Sequence, residues 1–129
     1  MSGERHFVDS LANIAAPMVG QSDLPFRKLV RRYNTTSAFT QMLLPERLLN
    51  DQEYLEFHLR GLGDTDDRPI VVQLCGNDPE LVVKAARKVQ SQCDAIGITI
   101  YSWTSYHFGL IVVSILNRPQ SRLSSRSSS

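Results

Sequence analysis

The 129-residue chain is poor in the residues that build cross-links and metal sites. Its two cysteines, Cys75 and Cys93, and its three histidines, His6, His58 and His107, have spacings that match neither a disulfide framework nor a metal-ligand motif. The first ten residues are charged and lack the apolar stretch of a secretory signal. We therefore expect a reduced protein without a metal site, located in the cytoplasm or the nucleus.

The chain also lacks an excess of charge, because 14 Lys and Arg stand against 13 Asp and Glu. A net charge of +1 does not by itself attract a nucleic acid or a membrane. The distribution is uneven, since all 13 acidic residues lie at or before Asp94, and residues 99–129 hold three arginines and no acid. Two different kinds of sequence therefore meet near residue 98.

The C-terminal part has no uninterrupted apolar run of membrane-spanning length. Residues 98–116 approach that length, but Ser, Thr and His side chains interrupt them, so a membrane helix is not expected. Residues 119–129 consist largely of Ser and Arg and are predicted to be disordered. A tail of this composition can bind RNA, and a tail that is merely solvated is the alternative.

Four short apolar runs, at residues 13–16, 37–40, 70–74 and 95–98, are predicted to be strands. Apolar runs without alternation are typical of parallel strands that are covered on both faces. Such strand–helix units suit a doubly wound sheet or a TIM barrel, but no strand is followed by G-x-G-x-x-G. The sequence therefore predicts an α/β fold, the N-terminal half of a TIM (β/α)8 barrel, followed by a divergent C-terminal tail.

Two of the intervening helices have clear signals. Asp78 and Pro79 predict the start of a helix that runs to about Gln92. An earlier helix begins after Ser22 or Asp23, and its apolar stripe is predicted to face the sheet; the stripe consists of Phe26, Leu29, Val30 and Tyr33. Its other side would then expose a basic patch, either a phosphate contact or a solvated face, made of Arg27, Lys28, Arg31 and Arg32.

Functional residues of a parallel barrel lie at the carboxyl ends of its strands. Gln73 stands near the end of the third apolar run, where its amide has several hydrogen-bonding sites to satisfy. A planar heterocycle with alternating donors and acceptors would satisfy them, and so would the backbone of a neighbouring loop. Both interpretations stay open on spacing alone.

Three segments in order resemble the start of a tRNA-dihydrouridine synthase, and in particular the eukaryotic branch that modifies the D-loop. They are residues 14–27 (IAAPMVGQSDLPFR), residues 67–79 (DRPIVVQLCGNDP) and residues 93–98 (CDAIGI). The resemblance covers about residues 11–98 and ends at Ile98. We therefore assign residues 1–98 to the N-terminal part of an FMN-binding barrel and residues 99–129 to a divergent, partly disordered tail.

The resemblance implies reduction of uridine in tRNA by FMN, with NADPH as the reductant and tRNA as the partner. It also implies that the backbone of Pro17, Met18 and Val19 follows the edge of the flavin ring and that Gln73 hydrogen-bonds the ring. No metal is implied.

After Ile98 the chain departs from the family, which continues with Asn-x-Gly-Cys-Pro. Here Thr99 stands at the Asn position, and Ser102 stands at the cysteine that donates a proton to C5 of uridine. A hydroxyl is a poor acid beside a thiol, whose ordinary pKa is about 8.5. We therefore assign no catalytic residue and interpret the chain as an inactive fragment of such an enzyme, with a non-catalytic protein that binds RNA or a homologue as the alternative.

Half of a barrel leaves strand edges open, and open edges are templates for association. We therefore expect the isolated chain to be aggregated, molten or dimeric through edge pairing. An added strand or helix from residues 98–116 would shield one edge.

Overall fold

The computed structural model describes residues 9–100 and the backbone of residues 109–111. Over these ranges the chain forms one five-stranded sheet with its strands in sequence order. The strands are β1 (Ile14–Ala15), β2 (Ser37–Leu43), β3 (Ile70–Cys75), β4 (Ala95–Ile100) and β5 (Gly109–Ile111). The helices are α1 (Leu24–Arg31), α2 (Pro45–Asn50), α3 (Gln52–Leu59) and α4 (Pro79–Val89).

The first four strands pair in parallel, each with the next one along the chain. A doubly wound sheet reverses its strand order at a switch point, whereas a barrel adds each new strand on the same side. The order β1-β2-β3-β4 is therefore that of a partial barrel, as the apolar runs predict. All six residues of β3 are buried, in keeping with a strand that is covered on both faces.

The larger core lies between one face of the sheet and the helices α2 and α4. It is apolar and includes Leu48, Ile70, Val72, Leu74, Val82, Ala85, Val89 and Ile96. The carboxylate of Asp78 caps α4 by accepting the backbone N–H groups of Glu80 and Leu81 at 3.0 and 3.4 Å. The predicted start of this helix is confirmed, and a 3₁₀ turn over Gln90–Gln92 follows its last residue.

The prediction for the buried face of α1 is wrong for two of its four residues, since Phe26 and Val30 are half-buried but Leu29 and Tyr33 are not. Leu29 and Tyr33 are 52% and 76% exposed, while Arg27 is only 2% exposed. The cause is Asp67, a fully buried carboxylate that pairs with Arg27 at 2.8 Å and with Arg31 at 3.3 Å. Since a buried carboxylate must be paired, the helix turns its arginines inward.

The predicted basic patch is therefore exposed only at Lys28 and Arg32. Arg27 and Arg31 are engaged by Asp67, and Arg31 also donates to the backbone oxygens of Arg68 and Pro69. Lys28 pairs with the exposed carboxylate of Asp66 at 3.1 Å.

Beyond β4, the described backbone contains one more strand. Gly109–Ile111 pairs antiparallel with residues 98–100 and covers the edge of β4, as an added strand would. The predicted disorder of residues 119–129 and the side chain of Ser102 lie outside the described residues. Within the described part of the chain, no helix is both long enough and apolar enough to cross a membrane.

Candidate cofactor site

Gln73 lies on the face of the sheet opposite the main core. Side chains alternate along a strand, so Val72 and Leu74 join the core under the helices while Val71 and Gln73 point to the other face. That second face also carries a small apolar cluster of Phe39, Val71 and Ala95. In a closed barrel this face lines the interior, and the functional site lies where the strands have their carboxyl ends.

The side chain of Gln73 is fully buried and only partly satisfied. Its Nε2 donates to the hydroxyl of Thr99 on β4 at 2.5 Å, whereas its Oε1 has no hydrogen-bond partner. The loop-backbone interpretation of Gln73 is therefore wrong, because the amide bonds a side chain of the neighbouring strand. An unpaired buried acceptor costs about 1–3 kcal/mol, and a ligand with an N–H donor would remove that cost.

Gly97 makes room for this arrangement. Gln73 and Gly97 are register partners on β3 and β4. A Cβ atom at Gly97 would lie 2.1 Å from Oε1 of Gln73, which is far inside van der Waals contact. The carboxamide can therefore lie across β4 only because that position has no side chain.

The backbone of Gln73 is fixed by a bulge in β2. The register between β2 and β3 shifts between Phe39 and Met42. At this irregularity the N–H of Gln73 donates to the hydroxyl of Thr40 at 3.0 Å, and that hydroxyl donates to the backbone oxygen of Gln41 at 2.8 Å. The bulge thus replaces a ladder hydrogen bond with a side-chain hydrogen bond beside the site.

The loop after β1 is built around the buried hydroxyl of Ser22. This hydroxyl accepts the N–H of Met18 and donates to the backbone oxygen of Ala16, both at 2.8 Å. The backbone oxygen of Met18 in turn accepts two N–H groups, from Gln21 and Ser22. The helix cap next to it is Asp23, whose carboxylate accepts the N–H of Phe26 at 3.4 Å.

The same loop is joined to β2. The N–H of Gly20 donates to Oε1 of Gln41 at 2.7 Å, which ties the end of the loop to the carboxyl half of the neighbouring strand. Gly20 has a φ of +73°, a conformation that strongly favours glycine. Met18 is half-buried and Val19 is 67% exposed.

Pro17, Met18, Val19 and Gln73 lie at the same end of the sheet, the end at which the parallel strands have their carboxyl ends. The loop follows β1, Gln73 is in β3, and β2 lies between them with Gln41 tied to the loop. One strand, β2, separates β1 from β3, and neighbouring strands of a sheet lie about 4.8 Å apart. A flat ligand that lies across the carboxyl ends of β1 to β3 could contact both the loop after β1 and Gln73.

A groove of about 180 Å³ opens at the carboxyl ends of the strands, between the loop after β2 and the start of α4. Its walls include Pro45, Arg47, Cys75, Asn77 and Leu81. Arg47 is already committed there, because it pairs with Asp51 at 2.9 Å and its guanidinium stacks 4.2 Å above the Tyr54 ring. Together with the Tyr54 N–H, Arg47 keeps the pKa of the Asp51 carboxyl below its ordinary value.

The polar groups around Gln73 suit binding and not proton transfer. Gln73, Thr40 and Thr99 are buried amide and hydroxyl groups, and none of them titrates near neutral pH. Among the described residues, no group of three or more His, Cys, Asp or Glu side chains could hold a metal ion. The chemistry that this cluster offers is orientation of a ligand through hydrogen bonds.

The two cysteines lie at opposite ends of the sheet, and Cys93 is not placed to supply an acid. Cys93 precedes β4 and so lies at the amino end of the strands, and burial raises the pKa of its thiol to about 11. Cys75 is the last residue of β3, is buried and lines the groove. Sequence reasoning missed Thr40, Gly97 and Thr99, because only the register of the strands reveals that they surround Gln73.

The sequence and the fold agree with one family of proteins. Residues 14–100 match the family model described as Dihydrouridine synthase (Dus). This chain belongs to the dihydrouridine synthase family, whose fold is a TIM barrel, and the sheet described above is part of such a barrel.

Individual relatives agree with this assignment. The chain is 44% identical over 88 residues to tRNA-dihydrouridine(16/17) synthase (NAD(P)(+)) of Saccharomyces cerevisiae. This match covers 67% of this chain and 21% of the yeast protein. It is 39% identical over 100 residues to the tRNA-dihydrouridine(16/17) synthase (NAD(P)(+))-like protein of Rattus norvegicus, and this match covers 78% of this chain and 21% of that protein. It is 37% identical over 76 residues to tRNA-dihydrouridine synthase B of Pseudomonas aeruginosa, and this match covers 58% of this chain and 22% of that protein. The chain thus spans about a fifth of the length of these relatives.

Proposed function

We propose that this chain carries part of the flavin-binding surface of a tRNA-dihydrouridine synthase and does not catalyse the reaction by itself. The observation that carries the proposal is the buried, unpaired oxygen of Gln73 on the inner face of a partial barrel. The names of the relatives support a tRNA substrate and an NAD(P)(+) requirement, and FMN is our extension of that.

The residues present fit a flavin ring. Gln73 supplies a buried acceptor, and Gly97 leaves the space that the carboxamide needs. Pro17, Met18 and Val19 supply a loop at the same edge, held in shape by Ser22. When bound, reduced FMN supplies the hydride that reduces the C5–C6 double bond of uridine, and NADPH restores the reduced state. This chain's own residues would hold and orient the ring.

The missing parts support the second half of the proposal. The resemblance places a proton-donating cysteine at the position of Ser102, and a serine hydroxyl donates a proton far less readily than a thiol does. TIM barrels frequently bind a phosphate with the loops after strands seven and eight, and the described residues form four parallel strands. Ring contacts without that anchor give weak binding.

The test is a titration of the purified chain with FMN, followed by amide chemical shifts, together with mass spectrometry of tRNA incubated with the chain and NADPH. We expect weak binding that perturbs the Met18–Gly20 loop and Gln73, and no dihydrouridine above a control without protein. Gln73→Ala should abolish the shifts in the loop, while Ser37→Ala, which removes a buried hydroxyl elsewhere in β2, should leave them unchanged. Dihydrouridine formation, or shifts confined to other regions, would refute the proposal.

The alternative, a non-catalytic RNA-binding protein, has less support. Its sequence argument used the basic side of α1, and Arg27 and Arg31 on that side are engaged by Asp67. The Ser/Arg segment that also suggested RNA lies outside the described residues.

A further inference from the structure

We infer that the outer face of α4 is a binding surface for the phosphate backbone of RNA. Lys84, Arg87 and Lys88 of this helix are all exposed. They lie three and four residues apart, a spacing that places side chains on one face of a helix. The opposite side of α4 belongs to the core, so the three cations face outward; the buried side consists of Val82, Ala85, Ala86 and Val89.

The cations of α4 are distinguished by the fact that none of the described carboxylates forms an ion pair with them. The ion pairs of the described residues engage five other cations, namely Arg27, Lys28, Arg31, Arg47 and Arg68. Lys88 donates to the backbone oxygen of Leu48 at 3.3 Å, a contact that leaves its charge unpaired. Glu80, in the first turn, is the acidic side chain of this helix, so α4 keeps a surplus of positive charge.

The place of α4 in the chain adds to this surplus. Residues 79–129 hold six Lys and Arg against two acidic residues, whereas residues 1–78 hold eight against eleven. The preceding helix α3 belongs to the acidic part and exposes Glu53 and Glu56. A polyanion is therefore attracted to α4 and not to α3, since clustered charges of one sign concentrate their counter-ions.

The choice of RNA among polyanions rests on the function proposed above, whose substrate class is tRNA. An outward helix face with long basic side chains suits a partner that presents many phosphates in a row. Such contacts position a nucleic acid without reading its bases. The surface is separate from the candidate cofactor site, because α4 packs on the face of the sheet opposite to Gln73.

The experiment measures binding of the full chain to a fluorescently labelled, unmodified tRNA transcript by anisotropy, at salt concentrations from about 50 to about 200 mM. A variant that combines Lys84→Ala with Arg87→Ala should lose at least about tenfold in affinity at the lowest salt. The slope of log affinity against log salt concentration should become shallower by about one to two, because two phosphate contacts are lost. Both side chains are exposed and alanine favours helices, so the variant keeps its fold.

Two matched variants show whether charge at this position is the cause. Lys84→Arg combined with Arg87→Lys keeps the charge and should keep both the affinity and the slope. Arg32→Ala combined with Arg60→Ala removes the same net charge from exposed positions outside α4, and neither arginine belongs to an ion pair of the described residues. This control should lose less than about threefold in affinity. An equal loss in the two alanine variants would overturn the assignment to α4.

Two further measurements separate this inference from its neighbours. The amide shifts that FMN causes in the Met18–Gly20 loop should be the same in the α4 alanine variant as in the unmodified chain. Absence of tRNA binding at about 50 mM salt would overturn the RNA surface and leave the flavin proposal standing, whereas tRNA binding without any FMN shifts would do the reverse. Binding to phosphatidylserine vesicles that depends on Lys84 and Arg87, without binding to tRNA, would overturn RNA as the partner in favour of a membrane.

Discussion

At the scale of single residues, Asp67 determines how α1 packs. It is a fully buried carboxylate that receives two arginines, Arg27 in a bidentate contact and Arg31 alongside it. The partners are far apart in sequence, since 40 residues separate Arg27 from Asp67. This ion pair therefore fastens the first helix to the segment that leads into β3.

Removing the charge of Asp67 should be strongly destabilising. In Asp67→Asn, Arg27 keeps a buried charge without its counter-ion, and breaking a buried pair in this way costs about 3–5 kcal/mol. Asp66→Asn is the matched control, because the neighbouring carboxylate is 65% exposed and its pair with Lys28 contributes at most about 1 kcal/mol. Urea unfolding followed by circular dichroism measures both variants. Equal losses in the two variants would contradict the assigned role of Asp67.

Cys93 should be an unreactive thiol in the folded chain. Burial raises its pKa from 9.0 to about 11, so at pH 8 the thiolate fraction is about a hundredfold lower than in the unfolded chain. The difference in charge state is largest between pH 9.0 and about 11, where the thiol is ionised in the unfolded chain and protonated in the folded one, and it closes above about 11. Alkylation with iodoacetamide, read as peptide masses with and without urea, measures the protection. Rapid native alkylation of Cys93 at pH 8 would show that the thiol is not buried.

At the scale of helices and strands, α1 and α4 differ in what holds them. The buried side of α4 is apolar, with Val82, Ala85, Ala86 and Val89 inside. The buried residue of α1 is Arg27, and Leu29 is 52% exposed. The two helices thus differ, because α4 buries apolar side chains fully whereas in α1 the fully buried side chain is an arginine held by an ion pair.

A pair of truncations tests this difference. Leu29→Ala should change the free energy of unfolding by no more than about 0.5 kcal/mol, since the side chain is largely in water and alanine is a good helix former. Val89→Ala removes fully buried methyl groups and should cost about 2 kcal/mol. Urea midpoints at one protein concentration give both values. A loss of about 2 kcal/mol or more for Leu29→Ala would restore the apolar stripe as the packing face.

The sequence was sufficient for the elements whose signals are local. The four apolar runs lie at β1 to β4 because continuous apolarity reports burial on both faces, and Asp78 with Pro79 marks the start of α4. The packing of α1 was not predictable, because Asp67 lies in a distant turn. Gln73 was recognised as a site residue, but Thr99 as its partner depends on the register between β3 and β4, which no local pattern specifies.

At the scale of the whole molecule, the described sheet ends in β1 on one side and in the short strand β5 on the other. The β4 edge is covered by the antiparallel strand β5, so it does not present a row of unpaired backbone groups over residues 98–100. In the described part of the chain, β1 pairs only with β2 and forms the other edge. Leu11 and Ile14, near that edge, are 38% and 47% exposed. Because these apolar side chains are exposed beside β1, we expect association to proceed through β1, as a dimer in which two β1 strands meet.

A dimer through β1 should be sensitive to a charge at Ile14. Two identical edges pair by a twofold axis, which brings each Ile14 close to its counterpart, and a lysine there places like charges together and blocks the edge. We expect the unmodified chain to elute as a dimer that dissociates on dilution and Ile14→Lys to be monomeric in size-exclusion chromatography with light scattering. Val83→Lys is the matched control, because Val83 is also 47% exposed but lies on the outer side of α4. It should remain dimeric; if both variants dissociate equally, or if the unmodified chain is monomeric at its highest soluble concentration, the β1 edge is not the contact.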